Sequence, residues 1–475
     1  MASTESTPGL HGAIWRWHFY AGLFAAPVMV LLAVTGALYL FNHEIEERWY
    51  ADRLVVRAPA GAVPRPIAEQ IAAVQAAVPE AKIRRWVVPR HAHRAAEAAV
   101  QLPDGSRRAV FVDPYRARIT GTLDSDMRLM TVVSELHGSL MLGRFGDTVI
   151  ELAACWGFVL LVTGLYLWWP RGGGAAGVLW PRFAARGRVW LRDLHAVTAF
   201  WNAAAVAFLI LTGLPWAGFW GDQLARLGTI SHLTESSPNF RGARVPRSST
   251  AEMLPAGVSP STPSPADASA GVAADHAGHA EDPALAWSIR KADAPRSAPG
   301  PTPLSLADAI DIGESLGMLQ PGARIGAPNA SDGVFRLSLP TDDAFAQRTV
   351  YLDQYSGAVL GDVRWRDYSP VGKAADFGVS VHMGRQFGLA NQLLGLAACL
   401  GVVVTAVAGV LMWWRRRPRG AFGAPRSPPG FRLTRTVVLS TLALSVVFPL
   451  VGLSLAVVLC VDALWRAAVA RPASS

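Results

Sequence analysis

Four histidines stand at matched distances from four landmarks of the chain. His18 precedes Thr35-Gly36 by 17 and 18 residues, and His195 precedes Thr212-Gly213 by the same spacing. His137 precedes Trp168-Trp169 by 31 and 32 residues, and His382 precedes Trp413-Trp414 likewise. Imidazole nitrogen is a usual axial ligand for haem iron. A lone histidine at a membrane interface is more often an ordinary headgroup-level residue, but repeated placement sets these four apart from the other seven of the eleven.

These side chains need elements that hold them, and the chain supplies long apolar ones. Of its 475 residues, 51% are hydrophobic and 17% charged, against about a quarter charged in soluble domains. Uncharged stretches run Phe19–Phe41, Leu152–Trp169, Ala196–Gly221, Phe387–Trp414 and Thr436–Val461; roughly 20 apolar residues cross a bilayer. Five transmembrane helices are expected, at residues 19–41, within 127–169, at 195–221, within 377–414 and at 436–464. The net charge of +9 does not mark a nucleic-acid binder, because the arginines cluster at helix ends: Arg171, Arg182, Arg186, Arg188 and Arg192, then Arg415, Arg416, Arg417, Arg419, Arg426, Arg432 and Arg435. Such loops stay cytoplasmic. Residues 170–194 and 415–435 are therefore expected inside, with the N-terminus (1–18, carrying Arg16), and 42–126 and 222–376 outside. Five spans put the C-terminus outside. The first apolar stretch is too long for a signal peptide and lacks a cleavage site, so it is expected to stay as an anchor. All three cysteines lie in apolar spans, and no Cys-x-x-Cys-His attaches haem covalently. The Arg-over-Lys, Ala/Gly/Pro-rich composition fits a GC-rich bacterial inner-membrane protein.

The matched spacings extend to an internal duplication. Val162-Thr163-Gly164 to Trp169 aligns without gaps to Val407-Ala408-Gly409 to Trp414, and Val110-Phe111-Val112-Asp113-Pro114-Tyr115 corresponds to Val350-Tyr351-Leu352-Asp353-Gln354-Tyr355. The fold class is thus mainly α: duplicated two-helix units with α+β exported domains, plus a fifth helix. In domain 1 (42–126), Ile67–Val78 has a helical apolar pattern, and Ala98–Leu102 and Arg107–Val112 flank a Pro-Asp-Gly-Ser turn. Domain 2 (304–376) repeats this with a helix at Ser305–Gly317 and strands at Val334–Leu339 and Arg348–Leu352. Residues 222–303 are expected to be a largely disordered Pro/Ser/Ala-rich linker.

Together these motifs resemble the PepSY-associated transmembrane family. Trp15-Arg16-Trp17-His18-Phe19-Tyr20, Glu135-Leu136-His137-Gly138, Asp193-Leu194-His195, Val381-His382-Met383-Gly384 and the two Asp-x-Tyr hairpin ends carry the resemblance, over about residues 10 to 415. The linker and fifth helix lie outside it. The resemblance implies a di-haem ferric-siderophore reductase that passes electrons outward to imported ferric chelates.

Sidedness pairs His18 with His195 and His137 with His382, one bis-histidine b-type haem near each face. Arg16 and Arg192 near the inner pair, and Arg144 and Arg385 near the outer pair, could meet haem propionates; plain boundary anchoring explains them as well. Gly36, Gly213, Gly164 and Gly409 could admit a flat macrocycle, or simply close helix packing. His11 is a substitute ligand candidate; His43 has no repeat partner; His276-x-x-His279 sits in the linker. Gly172-x-Gly174-x-x-Gly177 follows a membrane helix rather than a strand, so it is not a dinucleotide fingerprint. With no flavin or nicotinamide motif, the electron donor is expected to be a quinol or a cytosolic reductase, and the acceptor a ferric chelate. The uncharged stretches leave a permease without cargo ligands. The competing class is a sensor or regulator whose exported domains bind a protein, without redox chemistry.

Overall fold

The computed structural model describes residues 8–170, 175–231, 289, 294–298, 300–339, 342–417 and 435–469. Its elements begin with α1 (Pro8–Leu40), α2 (Asn42–Trp49), the single turn α3 (Ala51–Leu54) and α4 (Ile67–Ala77). Strands β1 (Lys82–Val87), β2 (Ala96–Gln101), β3 (Arg107–Asp113) and β4 (Arg118–Asp124) follow. Next come α5 (Leu129–Ser139), α6 (Gly143–Trp168), α7 (Gly187–Gly213) and α8 (Gly218–Ser231). The second half holds α9 (Leu306–Ser315), β5 (Arg324–Gly326), β6 (Val334–Leu339), β7 (Arg348–Asp353) and β8 (Val359–Arg364). It ends with α10 (Pro370–His382), α11 (Gly388–Arg416), α12 (Arg435–Val447) and α13 (Pro449–Val469). The chain divides into a helical unit (Met1–Leu40, Val133–Asp222, Gln392–Ser475) and a sheet unit (Phe41–Val132, Gln223–Asn391).

Among the described residues of the helical unit four helices are long and apolar enough to cross a membrane: Ile14–Leu40, Gly143–Trp168, Gly187–Trp216 and Gly388–Arg416. The fifth expected span, Thr436–Val461, is instead two helices, α12 and α13, that meet at Phe448. Pro449 opens α13, the position where its missing N–H is not needed by the helix. Phe448 and Val451 are buried with Cys155, Val206, Ile210 and Leu214, so apolar packing against α6 and α7 holds this break. Helix α6 also begins earlier than its uncharged stretch and carries Asp147 and a buried Glu151. These carboxylates accept from Gly218 N (3.0 Å), Phe219 N (3.0 Å) and Trp220 N (2.8 Å), the unsatisfied donors that open α8.

The sheet unit is one antiparallel sheet of order β4-β3-β2-β1-β5-β6-β7-β8. The two segments expected as separate domains meet at β1 and β5, where Trp86 pairs with Ile325. One face of the sheet turns Trp86, Ala98, Val110, Ile325, Leu337 and Val350 toward Ile71 and Val74 of α4 and Ala309 and Ile310 of α9. The alternation of apolar residues along the strands dictates that face. Helix α9 starts at a capping box between Ser305 and Asp308. The same turn recurs in both halves. Asp113 accepts from Tyr115 N (2.8 Å) and Asp353 from Tyr355 N (2.9 Å), and the register shifts at Phe111/Val112 and at Tyr351/Leu352.

The expected helices at residues 67–78 and 305–317 and the four expected strands are present. The expected linker differs at its ends. Helix α8 continues to Ser231, and Ser297 binds the second half through Ser297 N to Asp332 O (2.9 Å) and Gln354 N to Ser297 Oγ (2.9 Å). Most of the remaining linker, with His232, His276 and His279, lies outside the described residues, as do Gly172 and Gly174.

Candidate functional site

His18 lies in the first half of α1, and its Nδ1 is 2.9 Å from Thr163 Oγ1 on α6. The Thr163 hydroxyl has one proton and donates it to Val159 O at 2.6 Å, within its own helix. Its oxygen must therefore accept from His18, so Nδ1 carries the imidazole proton and Nε2 keeps its lone pair. His137, at the end of α5, repeats the device. Its Nδ1 is 2.9 Å from Thr35 Oγ1, while Thr35 donates to Leu31 O at 2.7 Å. His195 on α7 reaches the same tautomer by another route. Its Nδ1 is 2.8 Å from Thr405 O, and a carbonyl only accepts. Ala408 occupies the place that aligns with Thr163, which explains why a backbone oxygen serves there.

Glycine follows these contacts. A Cβ on Gly164 would stand 3.2 Å from His18 Cε1, one on Gly36 3.3 Å from His137 Cε1, and one on Gly409 3.2 Å from His195 Nδ1. These three glycines thus seat imidazole edges. Thr212 makes the same back-bond as Thr35, to Phe208 O at 2.7 Å.

The rings of His18 and His195 have centroids 6.2 Å apart and planes at 89°. Two imidazoles sharing a metal through bonds of about 2 Å each have centroids roughly 6 Å apart. With both Nδ1 atoms held by hydrogen bonds, the Nε2 atoms would be the ones to hold a metal, as where an outer hydrogen bond orients a metal-bound histidine. The pair fits haem, whose iron takes imidazole ligands. His137 belongs to the helical unit, and His382 ends α10 in the sheet unit.

The arginines proposed beside these histidines fall in different settings. Arg16 is two residues before His18 on α1. Arg192 gives Nε and one Nη to the buried Asp193 (3.2 and 2.8 Å), which Arg182 also grips at 2.7 Å. That pairing positions the start of α7, and so the approach to His195. Arg144 is exposed at the start of α6. Arg385 is in the sheet unit, one of four arginines around His43 with Arg90, Arg94 and Arg324. Burial, then the charge of these arginines, pushes His43 down to about 3. His11 has its ring 6.1 Å from that of Tyr166. Thr163 and Thr405 escaped sequence reasoning as partners of His18 and His195; for Thr163 the available signal was its place in a Thr-Gly pair. Among the described residues no group of three or more His, Cys, Asp or Glu side chains could hold a metal ion; a two-histidine axial site falls outside that pattern.

A family model described as the PepSY-associated TM region matches residues 15–416. No curated protein matches the chain.

Proposed function

The chain belongs to the PepSY-associated transmembrane family, and on that premise we propose that it is a di-haem electron-transfer protein of the bacterial inner membrane that reduces ferric chelates, siderophores among them, on the periplasmic side. The observation that carries this reading is the His18–His195 pair: two imidazoles at metal-sharing distance, both held as the Nδ1–H tautomer. Haem bound there supplies one-electron carriage. The protein's part is to fix both rings, through Thr163 and the Thr405 carbonyl, and to seat them on Gly164 and Gly409. The matched spacings make His137 and His382 the second proposed pair, and His137 carries the same hydroxyl-fixed tautomer. The recurring Asx turns and register shifts of the sheet support descent of the two halves from one duplicated unit. Neither half carries a flavin or nicotinamide motif, so a quinol or a cytosolic reductase is the proposed donor. Reducing Fe(III) to Fe(II) loosens its hold in an oxygen-rich chelate, since Fe(II) lies low in the affinity order.

The test is the absorption spectrum of protein purified from haem-replete cells. A b-type Soret band, with anaerobic reoxidation of dithionite-reduced protein on adding a ferric chelate, is the expected result. Colourless protein would overturn the reading in favour of a non-redox sensor.

A further inference from the structure

The face of the sheet opposite α4 and α9 is polar at its centre, where the two halves join. Arg85 on β1 pairs with Gly326 on β5, and Gly326 pairs in turn with Arg336 on β6. These three residues form one cross-strand row, and its middle member has no side chain. Arg324 lies two residues from Gly326 on the same face of β5. A Cβ on Gly326 would meet only Arg336 within 4 Å, at 3.7 and 3.9 Å, so nothing crowds that position. Its two walls are arginines two strands apart, roughly 10 Å at the backbone. His43, Arg90, Arg94 and Arg385 add to the same charged region.

Carboxylates occupy part of this charge. Arg128 pairs with Glu46 (2.7 Å) and Glu97 (3.1 Å), Arg94 with Glu47 (3.2 Å) and Arg90 with Asp342 (3.1 Å). Glu97 also acts on Arg85 and Arg324, while the buried Nε of Arg336 and the buried Nε2 of His43 have no hydrogen-bond partner. A buried guanidinium nitrogen without an acceptor is costly, and a carboxylate that met the half-buried Arg336 side chain would offset part of that cost. Guanidinium forks match carboxylates in bidentate geometry, and paired walls about 10 Å apart suit a ligand with more than one such group.

We propose that this arginine-walled notch binds a soluble polycarboxylate anion, with Arg336, Arg324 and Arg85 as the main contacts. Resting on the reductase reading, it assigns the substrate class: anionic, carboxylate-rich ferric chelates in preference to neutral or cationic ones.

Full-length protein in detergent free of anionic lipid should bind gallium(III) citrate, a redox-inert stand-in for the ferric complex, in calorimetry. Arg336→Ala and Arg324→Ala should each weaken binding at least tenfold with haem content unchanged, and Arg336→Lys should retain part of it. Raising salt should weaken it further. Unchanged affinity in both alanine variants, or no gallium citrate binding by wild-type protein that contains haem, overturns the notch while leaving the redox reading intact. Colourless protein that still binds gallium citrate through Arg336 supports the notch and overturns the redox reading. Loss of haem in Arg336→Ala or Arg324→Ala shows a structural role for the arginines and overturns the proposal.

Discussion

Thr163 and Gly164 do two things for one imidazole. The hydroxyl of Thr163, spent as a donor on Val159, fixes which nitrogen of His18 holds the proton, and Gly164 clears the space in which the ring lies. Removing an outer-shell partner of a metal-bound histidine typically costs about 10–100-fold in affinity. Thr163→Val, which keeps shape but not the acceptor, should therefore weaken haem retention on that scale in a titration of haem-depleted protein. Gly164→Val should abolish the inner haem, because its branched Cβ starts 3.2 Å from His18 Cε1. An unchanged titration for both variants would remove these residues from the site. The matched spacing of the four histidines from Thr-Gly and Trp-Trp landmarks was legible in the sequence alone. The assignment of Thr163 to His18 was not, because it depends on which face of α6 meets α1, and nothing local encodes that. The Thr405 carbonyl was invisible for a simpler reason: a backbone acceptor has no sequence signature.

Strands β1 and β5 join the two halves of the sheet, and Trp86 is fully buried at that junction. Its removal should cost about 3–5 kcal/mol. Because the sheet is continuous, Trp86→Ala should expose both halves to limited proteolysis together, at the hairpin around Gly105 and at the turn around Gly357. Cleavage confined to Gly105 would show that the halves fold independently. The hairpin Ala98–Leu102/Arg107–Val112 was readable because its signals are local. Strands β1 and β5 were missed: Lys82, Arg84 and Arg85 obscure the alternation in β1, and β5 has only three residues, Arg324–Gly326. Their pairing joins residues far apart in sequence. Strands β4 and β8, the outer strands of the sheet, are interrupted by Gly121 and Gly361, which weaken a strand signal.

At the scale of the whole chain, charge depletion located the four long apolar helices but not the fate of the last stretch. Thr436–Val461 has the length of a span, yet Pro449 and the buried Phe448 divide it. Hydropathy averages over a break that one residue makes. Electron carriage as proposed requires one iron shared by two histidines from different halves of the chain. The direct measurement is haem stoichiometry, with reduced-minus-oxidised spectra, for wild type, His18→Ala, His195→Ala and the double variant. An axial pair acts as a unit, so its effects are non-additive. Each single variant should lose the same haem or shift it to high spin, the double variant should look like either single one, and the second haem should remain. Two low-spin haems retained in His18→Ala or in His195→Ala would contradict the shared site.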